Sequence, residues 1–226
     1  MRPRSKARRL LLAVGIVGGS AVALRRVPAL ATVSARRPSG PLGRFLYGLP
    51  TASHPAFQKI LEMLALEPSD VLLDVGCGGG HFLALALARV ERAAGLDHSP
   101  DMVALTARRN AAAIAAGRLE VREGDAAHLP WDDGHFTAVV MNQVFFWLTD
   151  PDWALAEAYR VLRPGGRLAL LNAADRPAAR LVALPYVLSG MHLYPDVELD
   201  AMLRRAGFPE VRVRSEGLVQ YALARR

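Results

Sequence analysis

A single cysteine, Cys77, stands among the 226 residues, so no disulfide forms within the chain and no cage of cysteine ligands holds zinc. A reducing compartment suits that usage. Lysine is nearly missing: only Lys6 and Lys59 accompany the arginines among 28 basic residues, a bias of coding rather than a demand for bidentate contacts. Acids are absent from residues 1–40, where nine basic side chains stand. The remainder carries 19 basic against 21 acidic residues, so the formal net charge of +7 divides into an arm of +9 and a body of −2. A slightly acidic body gives no ground for a polyanionic partner, and nucleic-acid binding is not expected. The length and the 52% hydrophobic content exclude disorder throughout and suffice for one full core.

Residues 10–24 (LLLAVGIVGGSAVAL) are apolar and fenced by Arg8-Arg9 and Arg25-Arg26. At 15 residues the run is shorter than the roughly 20 that span a bilayer. Four readings stand open. It is a secretory signal with Ala29-Leu30-Ala31 as its small-residue triplet, a transit peptide, a short membrane anchor, or sequence added by a mis-assigned start. Both flanks are basic, so orientation is not readable. The expected organisation is an arm over 1–40, a Pro- and Gly-rich linker over 41–50 and one domain over 51–226.

From Val71 onward short apolar runs alternate with helix-forming sequence, the pattern of an α/β fold with a mainly parallel sheet. Strands are expected at 71–75, 93–96, 119–123, 138–141 and 168–172. Pro100 after Ser99 opens a helix reaching Ala116; Pro151 after Asp150 opens another reaching Leu162, closed by Pro164-Gly165-Gly166. Segments 211–215 and 218–224 flank Glu216-Gly217 as an antiparallel hairpin. The expectation is a Rossmann-like sheet of seven strands, mostly parallel with the last antiparallel, and helices on both faces. There is no internal repeat.

The stretch VLLDVGCGGGHF, residues 71–82, ends a strand in Asp74, turns through Gly76, Gly78, Gly79 and Gly80, and starts a helix at His81. Glycines let a backbone approach a ligand closely, and ligands of open parallel sheets lie beyond the strands' carboxyl ends. A dinucleotide fingerprint wants its third glycine where His81 stands, so a nicotinamide oxidoreductase fits poorly. The next strands end in Asp97, placed to accept bonds from a ribose diol, and in Glu123-Gly124-Asp125-Ala126, placed to meet an adenine. Three carboxylates at one edge repel pyrophosphate and suit a ligand carrying an amino group, a sulfonium and a nucleoside.

On these residues the chain resembles the class I S-adenosylmethionine-dependent methyltransferases, of the small-molecule, methyltransferase-11 type, from about Thr51 to the end. VLLDVGCGGG, GLDHSPDM, EGDAAHLPW, FTAVVMNQVFFWLTDP and AYRVLRPGGRLAL match its five motifs in order, and YPDVELDAMLRRAGF is similar to its helix before the final hairpin. The resemblance implies S-adenosylmethionine as cofactor. It implies that Asp74, Gly76, Gly78 and Gly80 wrap the methionine moiety, Asp97 holds the ribose, Asp125 and Ala126 hold adenine, and Asn142 and Gln143 floor the site near the methyl group. Such a cofactor is cytosolic, which argues for a cytoplasmic protein with membrane contact through residues 10–24.

Two departures are visible. Val144-Phe145-Phe146-Trp147 occupies the place where many relatives carry a histidine, and Thr137 replaces the usual acid of the fourth motif. Without a resident base, methyl transfer relies on proximity and in-line alignment with an acceptor that is already nucleophilic, and a cofactor-binding but inactive partner protein is the alternative. Gln143, Phe146, Trp147, Tyr186 and His192 are the candidate substrate lining, His192 also the candidate base. Core packing competes for the aromatic residues, and a structural role competes for a histidine beside Tyr194. The other histidines show no metal-ligand spacing. Cys77 reads as a small packed residue. The acceptor is expected to be a small, apolar molecule; its identity and the oligomeric state are not legible.

Overall fold

The computed structural model describes residues 55–188 and 190–226. The arm, the linker and the expected membrane contact through residues 10–24 lie outside the described residues, among which no helix is long and apolar enough to cross a membrane.

Helix α1 (Pro55–Leu64) leads into β1 (Val71–Val75), α2 (His81–Ala86), β2 (Arg92–Asp97), α3 (Pro100–Arg109), α4 (Ala111–Ala115) and β3 (Leu119–Glu123). The chain continues through β4 (Phe136–Asn142), a 3-10 turn (Phe145–Trp147), α5 (Pro151–Val161), β5 (Leu162–Ala173), α6 (Pro177–Val187), α7 (Asp196–Arg205), β6 (Glu210–Glu216) and β7 (Val219–Arg225). The seven strands form one sheet in the order β3-β2-β1-β4-β5-β7-β6. Only β7 opposes its neighbours, pairing antiparallel with β5 and β6, as the sequence led one to expect. Strand order runs one way from β1 through β2 to β3 and the other way from β4, so a crevice opens beyond the carboxyl ends of β1 and β4.

Alternation along the strands divides the core. Val71, Leu73 and Val75 of β1 join Leu155 of α5 and Leu199 of α7 on one face, while Leu72 joins Ile60 of α1 and Phe82 of α2 on the other. β1 is buried at all five positions, which explains its unbroken apolar character. A fully buried leucine there contributes about 1.5–3 kcal/mol.

Three local outcomes differ from expectation. The long Ala-rich helix breaks at Asn110, whose backbone leaves the helical region (φ −109, ψ 25). Its side-chain amide donates to Thr106 O at 3.0 Å and to Gly80 O at 3.2 Å, offering the chain an alternative to another helical turn. The strand expected at 168–172 starts earlier, at Leu162, because Phe136 of β4 pairs with Leu162 across an irregular register and the Pro164-Gly165-Gly166 segment stays in the sheet. Ser99 occupies the N-cap position of α3 without a side-chain capping bond.

Thr137 proves to be a local support. Its hydroxyl donates to Asp70 Oδ1 at 2.6 Å and accepts the Val71 amide at 2.9 Å, and Asp70 Oδ2 takes Arg167 Nη2 at 2.6 Å. Burial opposes the charge on Asp70, but the Glu67 amide, Thr137 and Arg167 together pull its carboxyl below the ordinary range.

Candidate active site at the carboxyl edge of the sheet

The glycine turn between β1 and α2 is bent by backbone that few residues tolerate: Gly76, Gly78 and Gly80 have φ of 73, 52 and 74. The amides of Gly76 and Cys77 both donate to Leu96 O, at 2.7 and 3.0 Å, which draws the turn across the end of β2. A Cβ on Gly76 would sit 2.5 Å from Val144 Cγ2. The segment after β4 therefore closes directly over the turn.

Asp74 is buried to 1% exposure, and its Oδ1 has no partner among the described residues. Burial, and then the charge of Asp97, push its carboxyl well above the ordinary value. Asp97 ends β2 and is also buried. Its Oδ2 accepts the Gly78 amide at 2.8 Å and its Oδ1 the Ser99 amide at 2.9 Å. Burial raises its carboxyl, and those two amides and His98 offset part of the rise. The two acids crowd one buried edge, and a buried carboxyl oxygen without a hydrogen-bond partner among the described residues is costly.

Asp125 is exposed beyond β3, and its Oδ1 accepts the Ala127 amide at 2.9 Å, shaping the turn that buries Ala126. Asn142 ends β4 on the face that Asp74 occupies on the neighbouring strand, and neither of its buried amide atoms has a partner among the described residues. Gln143 follows with φ 57, a left-handed backbone that a glutamine adopts only under constraint; its amide donates to Leu171 O at 2.7 Å. Cys77 is a buried thiol pushed well upward by burial and by Asp74 and Asp97, which keeps it protonated and poorly nucleophilic.

The candidate substrate lining divides in two. Phe145 and Phe146 are buried in the core, whereas Trp147 is half-buried and meets Tyr186 edge-on with ring centroids 6.4 Å apart. The segment after α6 is tied to this turn: Met191 N donates to Tyr186 O at 3.0 Å and His192 N to Phe146 O at 2.9 Å. His192 is exposed, its ring 4.4 Å from that of Tyr194. Burial, then the charges of Glu198 and Asp152, push the Tyr194 phenol up to about 12, so it stays protonated at neutral pH. The 3-10 turn thus meets Tyr186 through Trp147 and the His192 backbone through Phe146, while Tyr186, like Phe146, is buried in the core.

Motif reading missed the supports of this edge. Thr106, Arg109 and Asn110 of α3 and its end donate to the carbonyls of Gly78, Gly79 and Gly80. Glu157 and Arg160 of α5 hold the loop after Asp125: Glu157 Oε2 accepts the Leu129 amide at 2.7 Å, and Arg160 donates to Leu129 O and Trp131 O at 3.0 and 2.8 Å. In sequence Thr106, Arg109 and Asn110 are only polar residues at i, i+3 and i+4, spaced to share one helix face.

An open, mainly parallel sheet with a glycine turn and buried acids at its switch point defines a Rossmann-like protein built for a cationic nucleoside ligand. A family model described as a methyltransferase domain matches residues 73–170. The ubiquinone/menaquinone biosynthesis C-methyltransferase UbiE of Dinoroseobacter shibae is 31% identical over 182 residues, covering 69% of this chain and 73% of that protein. An arsenite methyltransferase of Halobacterium salinarum is 32% identical over 158 residues, covering 66% of this chain and 40% of that protein. The solved geranyl diphosphate C-methyltransferase of Streptomyces coelicolor A3(2) matches with a TM-score of 0.64 at 17% identity, over 83% of this chain and 84% of that one. The chain belongs to the class I S-adenosylmethionine-dependent methyltransferases, whose cofactor and methyl donor is S-adenosylmethionine. It spans between 32% and 51% of the length of the first curated relatives it matches.

Proposed function

We propose that the protein transfers a methyl group from S-adenosylmethionine to a small, apolar acceptor. The observation that carries this reading is the buried, unpartnered Oδ1 of Asp74 beside Asp97 at the glycine turn. Two acids crowding one buried edge are stabilised by a ligand that brings positive charge, and destabilised further by one that brings phosphate.

S-adenosylmethionine, when bound, supplies a methyl group on a positively charged sulfur, which leaves as S-adenosylhomocysteine. Asp74 would face the cationic methionine end and become ionised there, with Gly76, Gly78 and Gly80 allowing the backbone to close on it. Asp97 would accept from the ribose hydroxyls, Asp125 and Ala126 would meet the adenine, and the amide of Asn142, without a partner among the described residues, would face the site from β4. On the acceptor side, Gln143, Trp147, Tyr186 and His192 would line the mouth with Phe146 packed behind. Their work is alignment and exclusion of water, which suffices for an acceptor that is already nucleophilic. An apolar acceptor is supported by this aromatic wall and by the quinone named for the Dinoroseobacter relative.

Titrating the full chain calorimetrically with S-adenosylhomocysteine tests the cofactor; absence of binding removes the reading. Incubation with methyl-labelled cofactor and quinone, prenyl and fatty acceptors tests the reaction. Label on none of these but on a polar metabolite would refute the apolar acceptor. Contact of residues 10–24 with a membrane belongs to the same proposal, and recovery of the whole protein in the soluble fraction would exclude it.

A further inference from the structure

We infer that Thr106, Arg109 and Asn110 are positioning residues for the cofactor, holding the glycine turn in its binding shape from behind; this rests on the cofactor reading above. Three consecutive carbonyls of the turn each meet a side chain from one face of α3 and its end. Thr106 Oγ1 donates to Gly78 O at 2.7 Å, Arg109 Nη1 donates to Gly79 O, and Asn110 Nδ2 donates to Gly80 O at 3.2 Å. Positions 106, 109 and 110 are related as i, i+3 and i+4, so they lie side by side on a helix surface.

The arrangement is a fitted one. Thr106 is fully buried and Asn110 nearly so. A Cβ on Gly80 would come within 2.7 Å of Asn110 Nδ2 and 2.8 Å of Thr106 Oγ1. Turn and helix therefore touch as closely as glycine permits. Burying a hydroxyl and an amide against a loop is costly unless each is bonded, and here each side chain bonds to a carbonyl of the turn.

The consequence concerns orientation. A peptide unit is planar, so anchoring its oxygen on one side sets where its N–H points on the other. Gly78 is held at both ends, its amide by Asp97 Oδ2 and its carbonyl by Thr106. Thr106 thereby fixes the distance between the turn, which would meet the methionine end, and Asp97, which would meet the ribose. Two halves of one ligand are kept in register before it arrives, which lowers the entropy lost on binding. Asn110 also donates to Thr106 O, linking two of the three supports.

The test uses the full chain with S-adenosylhomocysteine as probe. Thr106→Val removes the hydroxyl at nearly constant volume, and Thr106→Ser keeps it. The expected result is a dissociation constant raised about tenfold in Thr106→Val, from the loss of one bond of about 1.4 kcal/mol, restored in Thr106→Ser, with faster amide exchange confined to residues 76–80. Asn110→Ala, should Thr106→Val not fold, is expected to give the same loss of affinity. Wild-type affinity in a folded variant, even with a lowered Tm, overturns the positioning role and leaves the cofactor reading standing. No binding by the wild-type chain overturns the cofactor reading and this role with it.

Discussion

Gly78 donates its amide hydrogen to Asp97 Oδ2 at 2.8 Å, so the carboxylate that ends β2 and the turn that follows β1 form one unit. Replacing Asp97 by alanine strips the bonds to Gly78 and Ser99 and removes the proposed ribose acceptor. Charge-assisted bonds contribute about 1.5–3 kcal/mol each. Asp97→Ala is therefore expected to weaken S-adenosylhomocysteine binding on the order of a hundredfold by calorimetry. Affinity within a factor of two of wild type would place the ribose elsewhere.

The raised carboxyl of Asp74 predicts that cofactor binding depends on pH. In the free protein burial and the neighbouring Asp97 favour its protonated form above the ordinary carboxylate range. A cation arriving in the site stabilises the ionised form, so binding releases a proton while pH lies between the lowered value of the complex and the raised value of the free protein. Affinity for S-adenosylmethionine should rise with pH through that value and then level. Calorimetry in buffers of differing ionisation enthalpy counts the proton, and Asp74→Asn should release none.

Gly76 is constrained twice, by φ of 73 and by Val144 Cγ2 lying 2.5 Å from where a Cβ would stand. Gly76→Ala should cost about 2–5 kcal/mol, combining left-handed strain with overpacking. Val144→Gly clears the overpacking and leaves the strain. Urea denaturation of the two single variants and the double variant should show a favourable coupling of more than about 1 kcal/mol. Strict additivity would mean that Val144 does not press on the turn.

Glu157 carries an acid-sensitive contribution. Hydrogen bonding to Arg160, against some burial and with help from the Leu129 amide, holds its carboxyl below the ordinary range. A depressed acid stabilises the fold above its unfolded value and loses that contribution as pH falls through the folded one. Glu157→Gln should thus be less stable than wild type by about 1 kcal/mol near neutrality. The gap should narrow as pH falls below about 4.5. A gap independent of pH would show that packing, not charge, accounts for it.

The strands and their order of appearance were legible because each is a short segment, apolar or alternating, closed by a turn, and the first and third are found at the expected residues. The glycine turn and the strand-end acids were legible because little packing purpose accounts for such residues there. Thr106, Arg109 and Asn110 were not: in sequence they are polar residues of an Ala-rich helix, indistinguishable from a solvated face. The same holds for Asn110 as a break. One partner of its side-chain amide, Gly80 O, lies 30 residues away in sequence, where no local pattern records it.

By itself the sequence determined the alternation of strands and helices, the reversed last strand and the acids at the carboxyl edge, since these follow from period, turn residues and charge read locally. Tertiary structure alone decided how those acids are poised. Asp74 Oδ1 is buried without a partner among the described residues, and two backbone amides occupy Asp97. Desolvation and hydrogen bonding depend on what lies across space from a residue, and periodicity along the chain contains no record of it.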